Sequence, residues 1–391
     1  MDGRTAPSCA VHRAGVPSIA RRAPAVAWYA RGTPARVSVR VDRRASRPNV
    51  PGTMIRALIA AFLFLLPAAP ALSFRITDPW PDAEAVRGVR ELAVTLRSRD
   101  PFTPAAIAGA PARAVGGRLF LPPGARPNGA TPAVVMLHGS GGMIADRVRY
   151  GPQLAAMGIA VLLVETYDSR RDLAAGFIER VLNITETMFV ADAYAALQHL
   201  AARPEIDPSR VVLAGFSYGA MATVYASYVQ MADAFAPGGP RFAGHVAYYG
   251  PCIAAFDDNR TTGAPVLLLN GAQDELTPAD RCARLADELR AGGSPVEVVS
   301  YPGAVHQWDG GLPRMLVGRQ LAGCRFRVGR GGAVHDENTG LPMSGPFLRK
   351  LILGLCTEGR PYPIGRDDAV RARSNRDFGA FLIRVFGSAG G

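Results

Sequence analysis

The stretch 210–223 confines this chain to few folds. An apolar run, Val211-Val212-Leu213-Ala214, leads without a break into Gly215-Phe216-Ser217-Tyr218-Gly219 and then into Ala220-Met221-Ala222-Thr223. A strand that becomes a helix through one serine-centred, glycine-bounded pentapeptide has the form of a nucleophile elbow on an α/β sheet. Glycines are needed there because the turn is tight and strained, and side chains flanking Ser217 would collide with the neighbouring strand and helix. The same turn exposes the Ser217 hydroxyl at a helix N-terminus, where the dipole favours developing negative charge. An ordinary glycine-bounded turn is the plain alternative, and the flanking strand and helix count against it.

From residue 113 onward, short apolar runs alternate with helix-forming ones, so consecutive strands are joined by crossover helices in an α/β architecture. Strands are expected at 117–121, 133–137, 159–164, 210–214, 245–249, 266–270 and 296–301. Several lack polar alternation, as parallel strands buried on both faces do. Helices are expected at 190–202 and 278–291, and Phe378, Phe381, Leu382 and Val385 recur at the spacing of a last helix closing over one sheet face. Residues 72–112 read as an edge strand with a Pro-rich approach. The Gly-, Arg- and Pro-rich segment 310–366 reads as an insertion.

A serine hydroxyl is a poor nucleophile near neutral pH, so Ser217 calls for a histidine base and an acid that orients it. Asp274 follows the apolar run 266–269 through a short loop, which places it at a strand's C-terminal end. Thr277 is the expected cap of the next helix, leaving Asp274 free. His306 follows the strand 296–301 in the same way, completing the order Ser, Asp, His. His138 precedes the serine, so its expected role is structural. The loop His138-Gly139-Ser140-Gly141-Gly142 is placed to stabilise an oxyanion, with the backbone N–H groups of Tyr218 and Ser140 as donors and Gly141 in reserve. A phosphate loop is the alternative there, but no following lysine or second glycine pattern accompanies it. Arg170 and Arg171 follow the strand 159–164 and offer a cation for a substrate carboxylate, or simply a solvated surface. Only residues 250–265 separate two strands where a helical cap would be inserted. Ser217 should therefore sit in an open cleft between the loops of Ser140, Tyr167 and Trp308, with the late insertion as the sole candidate cover.

The formal charge of +12 is concentrated at the start: residues 1–53 hold ten arginines against Asp2 and Asp42, which is +8 of the total. That segment reads as a disordered or non-native leader; a nucleic-acid-binding arm would interleave more aromatics than Trp28 and Tyr29. From Met54, one arginine, the apolar run 57–66 and Ala69-Pro70-Ala71 follow the order of a secretory signal peptide, too short for a comfortable membrane span. Residues 54–71 are thus expected to be removed on export, to a bacterial periplasm or beyond. Cys252, Cys282, Cys324 and Cys356 then remain, an even set that fits two disulfides better than a metal site, since no C-x-x-C or Cys/His cluster is present.

With these residues assembled, the chain resembles the dienelactone hydrolase family of the α/β-hydrolase superfamily, through HGSGG, GFSYG, GAQDELTP and YPGAVHQWD. The resemblance spans about 112–309 and the final helix. It implies a mostly parallel central sheet flanked by helices, without a large cap domain, and an exported carboxylesterase. Family members carry Ser or Cys as nucleophile with Asp and His, which fall on Ser217, Asp274 and His306; the enzymes that name the family use Cys. The segments around Tyr249-Gly250-Pro251-Cys252 and Pro278-Ala279-Asp280-Arg281-Cys282 resemble exported relatives and imply a Cys252–Cys282 bridge, leaving Cys324 for Cys356. A small ester as substrate, no cofactor, no metal and no nucleic-acid partner complete the expectation. An acyltransferase or peptidase with the same triad, and a non-catalytic binding protein on this fold, are the other classes the sequence admits.

Overall fold

Leucine, valine and alanine dominate the runs that become the central strands, and in the computed structural model those strands are buried on both faces. The structure describes residues 74–318 and 321–388; the leader and signal segment expected at 1–71 lie outside these. In chain order the described elements are β1 (Arg90–Arg99), β2 (Ala112–Leu121), β3 (Thr131–Leu137), α1 (Ala145–Val148), α2 (Tyr150–Ala156), β4 (Ala160–Val164), α3 (Phe177–Asn183), α4 (Glu186–Ala201), β5 (Ile206–Phe216) and α5 (Tyr218–Tyr225). They continue with α6 (Val229–Phe235), β6 (Gly244–Tyr248), β7 (Ala254–Phe256), β8 (Val266–Gly271), α7 (Ala279–Ala291) and β9 (Val296–Tyr301). The late segment adds β10 (Met315–Val317), β11 (Phe326–Val328), β12 (Val334–Asp336), α8 (Pro346–Cys356), β13 (Tyr362–Ile364) and α9 (Asp368–Ser388).

The main sheet has 8 strands in the order β1-β2-β4-β3-β5-β6-β8-β9. Pairing is antiparallel at one edge, β1 with β2 and β2 with β4, and parallel from β4 through β9. This is the α/β-hydrolase fold. Alternate residues of a strand face opposite sides. Val135, Leu213 and Leu268 accordingly join one core with α4 and α5, while Val134, Val212 and Leu267 join the other with α2 and α9. Phe378, Phe381, Leu382 and Val385 are the α9 side chains in that second core. Strand β2 starts at Ala112, earlier than expected, because its first half pairs residue for residue with β1. Helix α4 likewise starts at Glu186, whose side chain is buried.

The insertion is tied into the body rather than appended to it. β11 pairs in parallel with β7, antiparallel β12 lies on its other side, and β10 pairs with β13. Disulfides join Cys324 to Cys356 and Cys252 to Cys282. Buried Arg349 of α8 bonds both Glu186 carboxylate oxygens, at 2.8 and 3.1 Å, and donates to the Tyr218 hydroxyl at 3.0 Å. Only the short β7 stands between β6 and β8, so no helical cap is inserted there. Among the described residues no helix is long and apolar enough to cross a membrane.

Candidate active site

Strand β5 runs into α5 through Ser217 itself, which adopts φ 51° and ψ −110°, a conformation that costs energy outside glycine. Its N–H donates to the Tyr248 carbonyl at the end of β6 (2.9 Å), and its own carbonyl accepts the amides of Ala220 and Met221. Both flanking glycines are required by contact. A Cβ on Gly215 would lie 2.3 Å from the Gly219 carbonyl oxygen, and one on Gly219 would lie 2.5 Å from that of His138.

Parallel strands stand about 4.8 Å apart. The base on β9 therefore starts roughly three spacings, about 14 Å, from the serine on β5, and the loops after β8 and β9 close this gap. Gly271 opposes Tyr301 at the strand ends. Beyond them Ala272 donates to the Tyr301 carbonyl (3.0 Å) and Gln273 to the Ala304 carbonyl (2.9 Å), so the two loops leave the sheet bonded together. Gly271 allows this approach, since a Cβ there would meet the Ala304 carbonyl oxygen at 2.6 Å. The result is a continuous line: Asp274 Oδ2 to His306 Nδ1 at 2.8 Å, and His306 Nε2 to Ser217 Oγ at 2.8 Å. The other oxygen of Asp274 accepts the Leu276 N–H (2.9 Å). Thr277 does not cap α7: the cap position is Pro278, and the Thr277 hydroxyl turns back to the Asp274 carbonyl (3.5 Å).

The loop after β3 lies directly over the elbow. A Cβ on Gly139 would sit 3.3 Å from Cβ of Ser217, so glycine lets this backbone approach the nucleophile. Ser140 follows at the turn, and among the described residues neither its N–H nor that of Tyr218 donates to a backbone carbonyl. His138 is buried beneath the loop. Its Nδ1 lies 2.8 Å from the Gly139 carbonyl oxygen, its Nε2 accepts the Tyr167 N–H at 3.4 Å, and its ring packs on Tyr167 and Phe189.

Burial pushes His138 down to about 4, and does the same to His245 in β6. In the unfolded chain both titrate near 6.5. Between those values the unfolded chain binds more protons, so the stability these residues confer is complete above about pH 6.5 and drains away as pH falls to about 4. Each contributes roughly 3 kcal/mol across that window. Urea unfolding from pH 7 to 4.5 should show the loss, with a shallower slope for His138→Asn; an unchanged slope would remove His138 from this account.

Three expectations about the site's surroundings are corrected. Trp308 does not face a cleft: it is 0% exposed, packs on Tyr248, Tyr249 and Tyr301, and donates to the Ser374 hydroxyl of α9 at 3.2 Å. Arg170 cannot meet a substrate, because it is fully buried and bonded to Asp192 and Asp100. Arg171 is exposed and paired with Asp168 at 2.7 Å. Ser217 keeps 7% exposure, and the insertion runs alongside the base, with Ile364 bridging to His306, Gly365 donating to the His306 carbonyl (2.9 Å) and the Tyr362 ring 6.2 Å from the imidazole. Burial and the nearby Asp274 push the Tyr362 hydroxyl up to about 12.

Tyr167 is buried behind the glycine loop, its ring 5.5 Å from the Arg180 guanidinium. Sequence reasoning misses Arg180. One of its nitrogens lies 3.4 Å from where a Cβ of Gly142 would be, and it has no ion-pair partner among the described residues. It sits on α3, remote in sequence from every motif, so no local pattern marks it. A groove of about 690 Å³ opens behind Asp274, between Gln273, Asp287, Arg290 and Pro363, and its lining includes neither Ser217 nor His306. No cluster of three or more His, Cys, Asp or Glu side chains suited to a metal occurs among the described residues.

Residues 116–310 match the model of the dienelactone hydrolase family. An uncharacterized protein of Mycobacterium tuberculosis is 27% identical over 205 residues, covering 49% of this chain and 68% of the relative. Among solved structures, a dienelactone hydrolase-like promiscuous phosphotriesterase from metagenomic libraries is 22% identical, covers 56% of this chain and 84% of its own, and has a TM-score of 0.44. Esterase 2 of Thermogutta terrifontis, in a form phosphorylated by paraoxon, is 19% identical with 50% and 80% covered and a TM-score of 0.41.

Proposed function

Because this chain belongs to the dienelactone hydrolase family and is a hydrolase of ester bonds, we propose that it cleaves small carboxylic esters outside the cytoplasm through an acyl-enzyme on Ser217. The observation that carries this reading is the line of two 2.8 Å contacts from Asp274 through His306 to Ser217. His306 Nε2 takes the Ser217 proton as Oγ attacks the ester carbonyl, and the resulting oxyanion is held by the Tyr218 and Ser140 amides. The imidazolium, steadied by Asp274, then protonates the departing alkoxide, and water repeats the sequence to release the acid. Two disulfides agree with an oxidising compartment.

The nearly buried serine and the Tyr362 strand beside its base favour short acyl groups. A carboxylate contact suits Arg180 better than Arg171, because Arg180 lies against the glycine loop without a counter-charge of its own. One experiment tests the reading. Protein recovered outside the cytoplasm, with its N-terminus at or just after Leu72, is treated with a fluorophosphonate and assayed on esters of graded acyl length, with and without a carboxylate. Ser217 alone should be labelled, turnover should fall as the chain lengthens, and no jump should occur above the solubility limit of a long-chain ester. Labelling at another residue would overturn the mechanism, and such a jump would show a mobile lid.

A further inference from the structure

Four buried side chains that the triad does not use converge beneath it. Arg147 of α1 pairs with the Asp309 carboxylate, donates to the Tyr249 hydroxyl at 2.7 Å, and lies 4.3 Å from the Phe216 ring centroid. Tyr249 in turn donates to Asp309, and the Tyr150 hydroxyl reaches the same carboxylate at 3.1 Å. Asp309, Tyr249 and Tyr150 are at most 1% exposed, and Arg147 is 4% exposed. On either side, the Gly311 amide donates to Asp146 at 2.6 Å and Arg149 donates to the Asp309 carbonyl.

The location of the partners is informative. Arg147 follows the loop of Ser140, Asp309 follows His306, and Phe216 precedes Ser217. Tyr249 follows Tyr248, whose carbonyl holds the Ser217 amide, and its ring lies 4.7 Å from the His306 ring. β3 and β9, which deliver the first two loops, are not neighbours in the sheet, so sheet pairing alone does not set the distance between base and oxyanion donor. A buried ion pair adds little stability over apolar residues of the same size, and stability alone is therefore a weak reason for charges at this junction.

We propose that Arg147 and Asp309 are a positioning pair that clamps the histidine loop to the oxyanion loop across the elbow, holding His306 in register with the amides facing Ser217. The proposal rests on the esterase reading above. Its consequence falls on the chemical step: a small displacement of base against oxyanion donor lowers kcat, while ground-state binding of a small ester depends little on it.

The test uses the full-length protein with a short-chain ester, a thermal melt for each variant, and Ser217→Ala as control. Arg147→Lys keeps the charge but lacks the planar fork whose two terminal nitrogens reach Asp309 and Tyr249 separately, and its kcat should fall about 10- to 100-fold with KM little changed. The double variant Arg147→Met/Asp309→Leu replaces the pair by apolar groups; it should melt near the wild type yet show a similar loss in kcat. Wild-type kcat in a folded double variant, or in Arg147→Lys should the double variant not fold, overturns the proposal. So does a loss borne by KM alone. Turnover surviving in Ser217→Ala would instead mean that the esterase reading itself fails.

Discussion

Ser217→Ala is expected to lower ester turnover by about four orders of magnitude or more, and His306→Ala by a similar factor. Serine without its base is a neutral hydroxyl, and the base without serine has nothing to activate. The double variant should lose scarcely more than either single one, because the groups act as a unit. Asp274→Asn should cost about 10⁴-fold: its amide would face His306 Nδ1 and favour the tautomer that cannot accept the Ser217 proton. Steady-state kinetics on one short-chain ester check all four variants. Near-normal activity of Ser217→Ala, or losses that multiply in the double variant, would defeat the assignment.

Arg349→Leu should destabilise the protein by about 3–5 kcal/mol, since it leaves Glu186 buried without its counter-charge. The guanidinium also supplies donors to the Val181 carbonyl (2.9 Å) and the Tyr218 hydroxyl, which would lose them together. Replacing both charges, as Arg349→Met/Glu186→Leu, should recover most of that stability, because apolar partners carry no desolvation cost. Urea unfolding at pH 7 measures both. A loss below about 1 kcal/mol in Arg349→Leu would mean that the pair behaves like an exposed one, and that α8 is held by its disulfide and packing alone.

The features legible in the order of residues are local ones. The apolar runs mark the main-sheet strands β2 to β6, β8 and β9, several of them without polar alternation because both faces are buried, whereas the short β7 carries no such run; the helical recurrence of Phe378, Phe381, Leu382 and Val385 marks α9. The elbow is legible because its glycines answer to contacts with the adjacent strand and helix. Asp274 and His306 are legible as residues that follow strands. The edge strand β1 is harder to delimit, since most of its residues are polar and its limits depend on β2.

The sequence by itself determined the α/β order of elements, the strained serine turn and the chemical identity of the residues after each strand, all of which follow from the preferences of neighbouring residues. Only the tertiary structure decided which of those residues meet. Arg170 and Arg171 are adjacent, yet one is fully buried between two aspartates and the other is exposed, because Asp100 and Asp192 come from remote segments. Trp308 follows the base by two positions, but Gln307 at φ 61° turns the chain and the indole goes inward, towards α9. Arg180 and Arg147 reach the site from two short helices and Tyr362 from a late strand. Their arrival depends on sheet order and long-range packing, and these leave no periodic trace in the segments that carry them.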